Sequence, residues 1–143
     1  MRITLPQHHL SVDPSSDWIA DEMDPEAMDR FGLYLRSAEH GVYLNARSQE
    51  PGNHPLTKEG LLAILREQNW ASPPFDEWTS TPNGLTAVGG SFETVGMGGE
   101  VVLEVFATDG RSLVNLAGPG ERTVIRALMP AVRRLVNTLQ FID

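Results

Sequence analysis

The pattern of apolar and polar positions is sharpest toward the end of the chain. Glu100 to Ala107 (EVVLEVFA) is an apolar β run, Asp109-Gly110 is a hairpin turn, and Ser112 to Ala117 is a second strand. At Thr123 the period changes from strand to helix. Through Leu139 the residues Ile125, Leu128, Val132, Leu135, Val136 and Leu139 share one face, while Arg122, Arg126, Arg133 and Arg134 project elsewhere. Pro130 falls inside this run and predicts a kink or a fresh helical start near Met129, because it removes a backbone donor and crowds the preceding turn. A helix packed on an antiparallel sheet is the arrangement such a pattern specifies.

Earlier segments extend the sheet. Ile3 to Leu5 is a short candidate strand. Asp24-Pro25-Glu26 has the order of an N-cap, a first-position proline and an early acid, which predicts a helix of one or two turns. Phe31 to Arg36 and Gly41 to Arg47 alternate. Phe31, Leu33 and Leu35 oppose Tyr34 and Arg36, and on the return strand Val42, Leu44 and Ala46 oppose Tyr43, Asn45 and Arg47. This is a hairpin with one dry and one wet face, and the wet face gathers Tyr34, Arg36, Tyr43 and Arg47. Thr57 caps a helix running to Asn69, with Leu61, Leu62, Ile64 and Leu65 as its apolar stripe. Residues 71–83 form a Pro-rich connection holding Trp78, and Asn83-Gly84 is a turn signal. Leu85 to Glu93 is a strand in which Gly89-Gly90 predicts a bulge or a close backbone approach.

A chain of 143 residues corresponds to one domain. We divide it into an acidic, turn-rich stretch, 1–27, and a sheet-and-helix core, 28–143. The absence of cysteine removes disulfides and thiolate metal sites and fits a reducing, cytoplasmic setting. The N-terminal residues show no apolar signal region, and no run approaches the ~20 apolar residues needed to span a bilayer. The formal net charge of -8 sets the chain against nucleic acid and anionic membranes. That charge is uneven. Asp13, Asp17, Asp21, Glu22, Asp24, Glu26 and Asp29 fall in residues 13–29 without a base, whereas five arginines lie between Arg111 and Arg134. An acidic stretch of this kind is either a solvated loop or a surface for a basic partner.

Reaction chemistry is not visible. Gly90-Ser91-Phe92 lacks the nucleophile-elbow spacing. His8, His9, His40 and His54 lie in predicted loops, outside any metal-ligand spacing, and read as surface residues. The clustered carboxylates lack the fixed, buried separation of a glycosidase pair and the D-x-D-x-D-G order of a calcium loop. Gly96-Met97-Gly98-Gly99 runs into a strand without a lysine, so it is a hairpin turn rather than a phosphate cradle. Trp70, Phe75 and Trp78, beside Gly89-Gly90, are candidates to line an apolar pocket.

From Glu100 through the Asp109-Gly110-Arg111 turn to the helix and the tail Thr138-Leu139-Gln140-Phe141, the chain resembles the end of PsbP-like and DcrB-like domains. The resemblance covers residues 28–143. It implies an α+β fold, an antiparallel sheet of about six strands flanked by helices in an α/β/α sandwich. It also implies a bacterial adaptor used for binding, with no shared catalytic residues and no cofactor. Two functions are therefore expected to compete. One is a non-catalytic protein-binding module, an effector chaperone or a toxin-neutralising immunity protein, with Asp17, Asp21, Glu22, Asp24, Tyr34, Arg36, Tyr43 and Arg47 as contact residues. The other is a small-molecule binder or enzyme with a pocket at Trp70, Phe75 and Trp78.

Overall fold

The computed structural model describes residues 1–70, 72–94 and 99–142. It is an α+β structure in three layers. Seven strands form the central antiparallel sheet in the order β3(Trp18–Ala20), β4(Leu33–Ser37), β5(Tyr43–Gln49), β9(Leu113–Glu121), β8(Glu100–Thr108), β7(Thr86–Glu93), β6(Phe75–Ser80). A smaller sheet joins β1(Ile3–Leu5) and β2(Leu10–Val12) to β10(Gln140–Phe141). The α-helices among the described residues are α1(Pro25–Phe31), α2(Lys58–Arg66) and α3(Arg122–Val136).

Helix α3 covers one face of the sheet. Its Ile125, Leu128, Val132, Leu135 and Val136 are buried in one cluster with Leu33, Leu35, Leu44, Leu103, Val105, Val114 and Leu116. Helix α3 runs unbroken through Pro130. That proline is exposed, so the carbonyl it leaves without a donor, on Arg126, lies on the solvent side. On the other face Leu61, Ile64 and Leu65 of α2 pack on Val88, Phe92, Phe106 and Leu113. Both short helices begin on the caps expected of them: the Asp24 carboxylate accepts from Ala27 N–H at 2.8 Å, and the Thr57 hydroxyl accepts from Gly60 N–H at 3.1 Å.

Several expectations need correcting. Residues 1–27, read from the sequence as an acidic, turn-rich stretch beside the core, supply three strands and bury Leu5, Leu10, Val12 and Trp18 in the main cluster. His8 is buried rather than superficial. Its Nδ1 accepts from the Ser48 backbone N–H at 3.0 Å, which leaves Nε2–H to donate to the Met28 carbonyl at 3.0 Å. These two bonds tie the N-terminal segment to β5 and α1. Phe31 ends α1 rather than opening β4. The Pro-rich connection contains β6, an edge strand whose pairing with β7 shifts between Phe75 and Trp78. The bulge lies on β6, and of the two outcomes predicted at Gly89-Gly90 the structure has the close approach, at Gly89. A Cβ there would lie 2.4 Å from the Trp78 ring. Strand β9 also runs past Ala117 to Glu121. Beyond Ala117 it pairs with β8 only, so Pro119 removes no donor needed by β5. The turn expected at Gly96-Met97-Gly98-Gly99 lies outside the described residues except for Gly99.

Candidate functional site

The second face of the sheet is only half covered. One cross-strand row makes this plain: Tyr34 on β4 pairs with Asn45 on β5, Asn45 with Ala117 on β9, Ala117 with Glu104 on β8, and Glu104 with Gly90 on β7. At its Gly90 end the row runs beneath α2, where a Cβ would sit 3.3 Å from Leu65. At its Tyr34 end no helix among the described residues lies over it, and Tyr34 is 38% exposed. Arg36 and Tyr43 pair beside it, and Ile19 on β3 pairs with Arg36. Apart from Met1, the exposed large apolar side chains among the described residues are Ile19, Phe31, Tyr34, Tyr43 and Trp70. Ile19, Tyr34 and Tyr43 stand on this open half-face, and Trp70 stands at its border with α2. The Phe31 carbonyl reaches the same face, accepting from Asn45 Nδ2 at 2.9 Å.

At the border lies a groove of about 490 Å³ lined by Arg47, Gln68, Trp70, Glu104, Asn115 and Pro119, among others. Glu104 sits mid-strand in β8, and its parity directs it to this face along with Val102 and Phe106. Trp70 follows the end of α2, and its ring tilts against Phe92 with centroids 6.4 Å apart. The indole N–H donates to Glu104 Oε2 at 3.4 Å, and Asn115 Nδ2 donates to Glu104 Oε1 at 3.1 Å. Only 6% of Glu104 is exposed. Burial pushes its carboxyl above the ordinary glutamate value; the Asn115 and Trp70 hydrogen bonds, and more weakly the Arg47 charge, act in the opposite direction without cancelling it.

Sequence reasoning missed Glu104 as a site residue although the residue is conspicuous, an acid with apolar neighbours on both sides in the run that Glu100 opens, EVVLEVFA. The Tyr/Arg group, Tyr34, Arg36, Tyr43 and Arg47, does share one face as the alternation predicted.

The acidic candidates divide. Asp17 is occupied within the chain: Arg134 on α3 donates to its two oxygens at 2.8 and 3.1 Å, and this contact holds its carboxyl below the ordinary aspartate value. Asp24 is the α1 cap. Asp21 adjoins the open face, because its backbone N–H donates to the Tyr34 carbonyl at 2.9 Å and prolongs the β3–β4 pairing. Glu22 follows it, exposed.

Trp70, Phe75 and Trp78 do not line a common pocket. Trp70 borders the half-covered face, whereas Phe75 and Trp78 lie on the α3 side, under Arg122 and Arg133 at 4.4 and 5.0 Å. Among the described residues no group of three His, Asp or Glu side chains is placed to hold a metal ion. No helix among those residues is long and apolar enough to cross a membrane.

No family model matches the sequence, and no curated protein matches it. Its fold does have a counterpart. The solution structure of cyanobacterial PsbP (CyanoP) from Synechocystis sp. PCC 6803 superposes with a TM-score of 0.59 at 10% identity, covering 99% of this chain and 91% of that one. At that identity the likeness is one of fold, and the chain has a PsbP-like α+β fold.

Proposed function

We propose that this chain is a non-catalytic protein-binding module that docks a partner on the open half of its sheet. The observation that carries this reading is the concentration of Ile19, Tyr34, Tyr43 and Trp70, with Arg36 and Arg47, on the part of the face that α2 leaves bare. Tyrosine, tryptophan and arginine are the residue types that dominate binding energy at protein interfaces. A sheet face left without its helix is an apolar patch that another chain can complete.

The partner is a protein with a basic surface. A net charge of -8 steers such a partner toward this one, and Asp21 and Glu22 stand at the rim of the platform. A bacterial adaptor of the DcrB-like kind, acting in the cytoplasm as an effector chaperone or a toxin-neutralising immunity protein, has these properties. Asp17 and Asp24 drop out of the contact set, since each already has a structural task. The competing pocket at Trp70, Phe75 and Trp78 loses support because the three rings lie on opposite sides of the sheet.

Capture from native lysate with a paired control tests this. A partner held by the wild type, lost with Tyr34→Ala/Tyr43→Ala and retained with Arg126→Ala on the outer side of α3, is the expected result. Equal retention by both variants would remove the open face from the reading.

A further inference from the structure

We propose that the groove at Glu104 is the socket for an arginine side chain of the docked partner. The inference rests on the docking reading above and assigns the groove a defined occupant.

Three features of the groove favour a guanidinium. First, each Glu104 oxygen accepts one hydrogen bond from within the chain, Oε2 from Trp70 and Oε1 from Asn115. A carboxylate oxygen has two lone pairs, so each oxygen can accept one more donor, and the parallel N–H pair of a guanidinium suits two such oxygens. Second, Trp70 is 40% exposed and stands as one wall, giving a planar cation a ring face on which to stack. A guanidinium is also less strongly hydrated than an ammonium, so it gives up water more readily on entering a half-dry groove.

Third, the groove contains an acid short of compensating charge. A buried carboxylate is costly unless it is paired. The other charged side chain lining the groove is Arg47, whose field acts more weakly on Glu104 than either hydrogen bond. An incoming cation would supply what Arg47 does not. Gln68 and Asn115 add carboxamides that can accept the remaining guanidinium donors. The same acid is poorly explained as a stabilising element of β8, where Val102 and Phe106 on the same face are apolar.

The test is a titration of the full chain with N-acetyl-arginine N-methylamide, followed by amide and indole NMR. The lysine and alanine analogues serve as comparisons. The Trp70 indole N–H signal is expected to shift saturably with the arginine probe, more weakly with lysine and not with alanine. In Glu104→Gln the apparent affinity should fall about tenfold or more, the loss expected when a charged hydrogen-bond acceptor is neutralised. Should that variant not fold, Trp70→Ala at the rim takes its place, read through the Asn115 side-chain amide, with the same expected fall. Absence of a saturable shift, equal shifts with the alanine probe, equal affinity for lysine, or unchanged affinity in the variant would each overturn the socket. If the socket fails while partner capture still depends on Tyr34 and Tyr43, the docking face stands alone. If capture also fails to depend on them, the underlying reading falls.

Discussion

The two faces of the central sheet are built from the same strands and end up differently. Under α3 every strand from β3 to β7 contributes to one dry cluster, from Trp18 to Ala87. Beneath α2 only the β7–β8 side and Leu113 are covered. The rest of that face carries Tyr34, Arg36, Tyr43, Asn45 and Arg47, and Glu104 sits where cover gives way to solvent. Helix length accounts for this. With 15 residues α3 can run across the sheet, whereas α2 has 9 and reaches only about 14 Å at the usual rise per residue. The first face holds the fold together, and the second leaves room for another molecule.

The comparison can be broken most severely on the α3 side. Leu103 is fully buried in the centre of β8, and Leu103→Ala should cost about 2–5 kcal/mol in urea unfolding. A loss near zero would mean that this face is not the stabilising one. At the border between covered and open halves the effect should appear as a pH dependence. Because burial raises the Glu104 pKa, the folded state holds that proton more tightly than the unfolded state does. Its contribution is therefore most favourable below the ordinary glutamate range and declines as pH rises through the raised value. Glu104→Gln should lose this decline, so unfolding midpoints of variant and wild type should move in the variant's favour as pH rises from the ordinary glutamate range through the raised value. Parallel midpoints across that range would refute the assignment. The smallest effect is expected on the open half. Tyr43→Ala should change stability by no more than about 0.5 kcal/mol, and a larger loss would make Tyr43 a structural residue rather than a docking one.

Much of the dry face was legible in the sequence because its signals are periodic and local. The β8 and β9 runs, the Asp109-Gly110 turn and the α3 stripe each declare themselves within a few residues. In the structure the Asp109 carboxylate accepts from Arg111 and Ser112 N–H at 2.9 and 2.8 Å, as such a turn requires. Strand β6 was not legible, since Pro73-Pro74 and the polar content of FDEWTS conceal an edge strand that needs only one neighbour. His8 was also hidden, because a histidine between Gln7 and His9 gives no sign that Ser48 and Met28 will enclose it. The Tyr/Arg group could be read from alternation alone. The groove could not, because its wall comes from a segment far along the chain, and Glu104 acquires meaning only when α2 proves too short to bury it without Trp70.

Strand β3 is three residues long and forms one margin of the seven-stranded sheet. A margin of this kind is a template for a neighbouring chain to extend. Here it runs directly into Asp21 and the exposed Glu22, whereas Asp17 at its start is paired with Arg134. Two copies aligned margin to margin in parallel would bring Asp21 and Glu22 of each together, and that like-charge contact would work against stacking of the protein into fibrils.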